Sequence, residues 1–174
     1  MEDFGKEMSV DELKNHLINH EIQFKPYTQE EINKKKEEFG GMPELLEEYY
    51  LKIGWFNDID MSGMGCYIFR LEDICMITAK GLKAEYDQDY EGEDNIPEFK
   101  ETDDYLEIGG EAVSVDLFTL KVKDFHEENP PLYGRGDSYH MVENGYIYCT
   151  NDYWPTLKIF FGLIAYSITE ITGY

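Results

Sequence analysis

Eleven carboxylates fall between residues 85 and 107: Glu85, Asp87, Asp89, Glu91, Glu93, Asp94, Glu98, Glu101, Asp103, Asp104 and Glu107. One base, Lys100, opposes them, so this stretch holds −10 of the net −22 charge. Carboxylates at this density can hold a hard cation, work as an acid–base pair, or present a negative field to a basic partner. Asp87, Asp89, Glu91, Gly92 and Glu98 match positions one, three, five, six and twelve of a calcium-binding helix–loop–helix loop. Asp94, however, stands at the eighth position, where such loops carry an apolar residue. Pro97 precedes the twelfth, where the exiting helix begins, and the residue before a proline is biased away from helix. No metal is expected here.

The other chemistry-bearing residues are scattered. His16 and His20 lie four apart and could share a metal, but no third ligand follows at a fixed spacing. They read as solvated or partly buried histidines, and His126 and His140 are far from them in sequence. Cys66, Cys75 and Cys149 are too few for a disulfide framework or a paired-cysteine zinc site. Each sits in an apolar run and reads as a small buried hydrophobe in a reducing compartment. No phosphate loop, dinucleotide fingerprint or Gly-x-Ser-x-Gly elbow occurs. In a chain with 37 acids, carboxylate pairs carry no information by themselves. The expectation is a protein without catalytic activity and without a cofactor.

What remains is electrostatic. A net charge of −22 repels nucleic-acid phosphates and favours a basic protein partner, because complementary fields steer association. The alternative reading of the charge is a surface that simply keeps the chain in solution. The candidate partner-binding residues are Asp87, Asp89, Glu91, Glu93, Asp94, Glu101, Asp103 and Asp104, with Tyr86, Tyr90 and Trp55 as apolar anchors unless they pack in the core. Self-repulsion predicts that residues 85–104 form an extended, solvent-facing loop.

The elements that must position these residues are legible from local signals. Ser9 with Glu12, and Thr28 with Glu31, have capping-box spacing at two helix starts. Gly40 and Gly41 end the second helix, and Pro43 opens a third. There Leu45, Leu46, Tyr49, Tyr50 and Ile53 share one face, and Gly54 stops it. The lysines at 34–36 follow Glu30 and Glu31 at helical spacing and read as a solvated, ion-paired face. Residues 66–69 and 74–77 read as short strands, and so do residues 105–108, with a tight turn expected at Gly109-Gly110. Alternation over 113–122 changes phase between Leu117 and Phe118, which a bulge would absorb. Asn144-Gly145 signals a hairpin turn. Leu157, Phe160, Phe161, Ile164 and Ile168 trace the apolar face of a last helix that covers the sheet.

Together these predict one α+β domain over residues 1–174, with 1–8 frayed. Its sheet is mainly antiparallel, of five or six strands, flanked by helices. The N-terminus lacks an apolar signal region, and the apolar run 159–168 is too short to span a bilayer. The chain is therefore expected in the cytoplasm, away from membranes.

A Glu-rich helix, a Gly and MPELLEEYYLKIGWF resemble the opening of the SUKH superfamily. YLEIGGEAVSVDLFTLKV is similar to that family's central strand pair, ENPPLYG to its proline turn, and NDYWPTLKIFFGLIAYSI to its aromatic entry into a final helix. The likeness runs in order over residues 28–168. Met42 stands where Leu is usual, and Gly54-Trp55-Phe56-Asn57 where Asn-Gly-Gly is common. The resemblance implies a cytoplasmic immunity protein that binds a cognate toxin, commonly a basic nuclease, and occludes it. Its alternative implication is a regulatory or scaffolding module, as in the family's fungal cell-wall synthesis regulator. A calcium- or small-ligand-binding role for the acidic loop is a third reading.

Overall fold

The computed structural model describes residues 5–56, 65–111, 116–135, 144–150 and 155–173. The first half is a helical layer built on local caps. Helix α1 (Val10–Asn19) begins where the Glu12 carboxylate accepts the Ser9 N–H at 2.7 Å and Ser9 Oγ accepts the Glu12 N–H at 3.2 Å. The short strand β1 (Phe24–Lys25) follows, then α2 (Gln29–Phe39), which repeats the device with Thr28 and Glu31 and ends at left-handed Gly40. Pro43 opens α3 (Glu44–Lys52), whose Leu45, Leu46, Tyr49 and Tyr50 are buried as the periodicity predicts. Strand β2 (Trp55–Phe56) pairs antiparallel with β1. The lysine run is used differently from expectation. Glu31 is occupied in its cap, so Lys35 pairs with Glu38 at 3.2 Å and Lys36 reaches Glu47 of α3 at 2.6 Å.

The second half is the sheet. Its strands are β3 (Cys66–Ile68), β4 (Cys75–Ile77), β5 (Tyr105–Glu111), β6 (Leu117–Lys121), β7 (Tyr133–Arg135) and β8 (Cys149–Thr150). They run in the order β3-β5-β6-β7-β8, with β4 also on β5, and every pairing is antiparallel. Helix α4 (Ala79–Asp89) lies between β4 and β5 in the chain, and α5 (Leu157–Thr172) closes it. This is the α+β architecture with a six-stranded antiparallel sheet that the sequence predicts, plus a separate two-stranded sheet. No helix among the described residues is long and apolar enough to cross a membrane.

Two local expectations are overturned. Gly109-Gly110 is not a turn, because both glycines lie inside β5. A Cβ on Gly109 would come within 2.2 Å of the Tyr67 carbonyl oxygen of β3, so the glycine permits close strand approach. The β5–β6 connection instead falls at 112–115, outside the described residues, as do Val113 and Val115. The register irregularity sits in β5 between Glu107 and Gly109 rather than at Leu117/Phe118. Asn144 and Gly145 both have positive φ, 53° and 87°, but the strand expected before them, at 142–143, lies outside the described residues.

Alternation along β5 sends Leu106 and Ile108 to one face of the sheet and Tyr105 and Glu107 to the other. The first face carries the main core. Leu106, Ile108, Phe118 and Leu120 pack there with Leu13 and Leu17 of α1, Leu46 and Tyr49 of α3, and Phe160, Phe161, Ile164 and Ile168 of α5. The Tyr49 ring stacks on Phe161 with centroids 5.6 Å apart. The second face is covered too. Leu82 and Tyr86 of α4 form a smaller cluster with Tyr105, Ile147 and Tyr148.

Candidate functional site

Helix α4 takes up the start of what the sequence suggests is a loop. Thr78 Oγ1 accepts the Gly81 N–H at 3.0 Å, and Asp104 Oδ1 accepts the Ala79 N–H at 2.9 Å, so two side chains cap its N-terminus. Lys83 pairs with Asp87 one turn on, and Glu85 meets Arg135 at 3.3 Å. These local pairs offset the self-repulsion that argues for an extended chain. Tyr86 is buried in the smaller cluster and so is no anchor for a partner, and its hydroxyl donates to the Pro97 carbonyl, which ties the returning chain to the helix. Residues 91–98 form the excursion between, and all eight are exposed.

The predicted partner-binding residues therefore separate. Asp87 and Asp89 are exposed on the last turn of α4, and half-buried Tyr90 follows, its ring 4.7 Å from that of Tyr86. Glu91, Glu93 and Asp94 stand on the exposed excursion. With Asp87 and Asp89 in a helix, the first two positions of a calcium loop do not exist. Among the described residues, no three His, Cys, Asp or Glu side chains are arranged to hold a metal ion.

Of the remaining acids, Glu101 is a correction. Glu101 is buried at 5% exposure and so cannot face a partner. Asp103 is half-buried, gripped by Lys121 and Lys123 at 2.9 Å each, and those cations hold its carboxyl below the usual range despite burial. Asp104 remains exposed while it caps α4. Trp55 lies in the other sheet with the Arg70 guanidinium 4.1 Å above its ring, in a cleft of about 420 Å³ with Tyr49, Tyr67 and Asp73. It anchors no part of the acidic excursion. The cysteines also divide: Cys66 is buried as expected, Cys149 is intermediate, and Cys75 is exposed, since β4 lies at the sheet edge.

The histidine pair works as a clasp between helices. The rings of His16 and His20 are 4.3 Å apart. His16 Nε2 lies 3.1 Å from Thr169 Oγ1, and His20 Nδ1 lies 2.7 Å from Thr172 Oγ1, both on α5. Burial, and then the neighbouring His20, push the His16 pKa below its ordinary value.

A polar cluster on the second face of the sheet escaped sequence reasoning. Lys121 Nζ lies 4.4 Å from the Tyr133 ring centroid and 5.6 Å from that of Tyr105, so the chain's own lysine fills this tyrosine cage. The Tyr105 and Tyr148 rings are 4.6 Å apart. Tyr148 Oη donates to Glu107 at 3.2 Å, and burial pushes the Glu107 carboxyl above its usual range. Beside the cage, a depression of about 390 Å³ is lined by Lys121, Tyr133, Tyr146 and Tyr148. The only available signal was the polar member of each alternating pair, Tyr105 with Glu107 and Thr119 with Lys121. Alternation alone assigns such residues to solvent, and here Leu82 and Tyr86 of α4 with Ile147 and Tyr148 pack on Tyr105.

Comparison with protein-family models, with curated proteins and with solved structures finds no match in any of the three.

Proposed function

We propose that this chain is a non-catalytic binding protein that neutralises a basic protein toxin, an immunity protein of the kind its SUKH resemblance implies. One observation carries the reading. Residues 91–98 are exposed throughout and carry Glu91, Glu93, Asp94 and Glu98 with no lysine or arginine among them. None of these four side chains forms an ion pair among the described residues. Ile96, 38% exposed, sits in their midst and supplies an apolar contact. A negative field with an apolar centre suits a basic active-site rim, where it would occupy the place of nucleic-acid phosphate. Exposed Asp87 and Asp89 flank this run on the last turn of α4, whereas buried Glu101 and lysine-paired Asp103 add nothing to its field.

The test is co-expression. The toxin domain encoded beside this gene would be induced in a bacterial host with and without this chain, followed by pull-down. Rescue with a stable complex is the expected result. Killing despite abundant folded chain, with no complex, would move the assignment to a regulatory or scaffolding module acting in the cytoplasm.

A further inference from the structure

The root of the acidic excursion is a sealed carboxyl. Both oxygens of Glu101 and the hydroxyl oxygen of Tyr105 are closed off from solvent, and among the described residues the only hydrogen-bonding partners they face are one another. Charged and titratable groups face Glu101 from every neighbouring element: Tyr105 from β5, Lys121 from β6, Lys123 just beyond it, and Asp103 from its own segment. Tyr133 of β7 in turn faces Tyr105 and Lys121. The two lysines are the obvious counter-ions, yet both ammonium groups are committed to Asp103. A carboxylate in this seat would have the Tyr105 O–H as its one close donor, and burying a charge with so little compensation is costly, so desolvation outweighs that bond and the pull of the two lysines. The neutral acid brings its own O–H, which the Tyr105 hydroxyl is placed to accept.

The same short segment is stitched to its surroundings on either side of Glu101. The Lys100 N–H donates to the Gly145 carbonyl at 2.8 Å, and the Val122 N–H donates to the Asp104 carbonyl at 3.0 Å. We propose that Glu101 is a proton-operated latch: neutral, it stays seated on the sheet and clamps the base of the acidic excursion; ionised, it leaves the seat and loosens that base. The latch would set how rigidly residues 91–98 are presented, and in that respect alone it rests on the partner-binding reading above. Burial raises the Glu101 carboxyl above its ordinary value, in keeping with the geometry. Its folded-state pKa thus exceeds the unfolded one. The stabilisation is complete below the unfolded value, about 4.3, and is lost as pH rises through the folded value.

The test uses the full chain with no partner present. Amide hydrogen exchange would be followed by NMR from pH 5 to pH 8 and expressed as protection factors, which remove the intrinsic pH dependence of exchange. The Lys100 amide reports on the clamp, and the Leu46 amide in the main core reports on global opening. The wild-type Lys100 protection should fall about tenfold across this range relative to Leu46, while Glu101→Gln keeps it constant. A wild-type ratio that stays flat, or an equal fall in Glu101→Gln, would overturn the latch. Should the variant fail to fold, the carboxyl ¹³C titration of wild-type Glu101 decides. A midpoint above that of an ordinary glutamate supports the proposal, and one at or below it overturns it. No partner enters these measurements, so their outcome is separate from the fate of the toxin reading.

Discussion

Asp103 controls how hard Glu101 is to ionise, because it holds both lysines that could otherwise neutralise its neighbour. Replacing it with Asn should free Lys121 and Lys123 for Glu101. The Glu101 midpoint, read by ¹³C NMR, should then drop towards the ordinary glutamate value, and an unchanged midpoint would refute the coupling. The sign at Asp103 itself is opposite. Its folded pKa is depressed, so its contribution is present above the unfolded value and lost as pH falls through the folded one. Wild-type stability should therefore lose the Asp103 contribution as pH falls and the Glu101 contribution as pH rises above the ordinary glutamate range, and a pH series of thermal melts on the Asp103→Asn and Glu101→Gln variants would separate the two. At this scale the sequence displays every acid but ranks none. Glu101 and Glu93 look alike in a string of carboxylates, and only packing from β5 and β6 makes the first a buried group and the second a surface one.

At the level of elements, what reads correctly is what is decided within a turn or two of chain. The caps at Ser9 and Thr28 need only a residue three positions on, and both form as predicted. Ser9→Ala should cost about 1 kcal/mol in chemical denaturation, the usual worth of an N-cap. Phe161 is fully buried against Tyr49, and Phe161→Ala should cost about 3–5 kcal/mol by the same measurement. What reads wrongly is decided between elements. Gly109-Gly110 carries a turn signal locally, but β3 approaches so closely that glycine is needed inside a strand. Gly109→Ala should accordingly cost about 3 kcal/mol by forcing β3 and β5 apart, where a turn position would tolerate alanine better. The length of α4 was hidden for a related reason. Its capping by Thr78 is local, but Asp104 and Arg135 come from far along the chain to cap and neutralise it.

For the whole molecule, two covered faces of one sheet explain the division of labour. The first face, under α1, α3 and α5, is an apolar core that the periodicity of those helices announces. The second face is polar and aromatic, and it holds the base of the acidic excursion against the sheet through Tyr86, Glu101 and the Asp104 backbone. The α+β class follows from the order of helical and alternating segments, while the second face does not, because a polar residue on a strand looks the same whether solvent or a helix lies above it. The central claim is that the exposed run 91–98 docks a basic partner. Its most direct test is the affinity for the basic toxin domain that the co-expression experiment identifies as its partner, measured by calorimetry across a salt series. The wild-type chain would be compared with the triple variant Glu91→Lys, Glu93→Lys and Asp94→Lys. The variant should keep the wild-type melting temperature, lose at least about tenfold in affinity at low salt, and show a shallower salt dependence. Equal affinity and an equal salt slope for the two chains would contradict the claim.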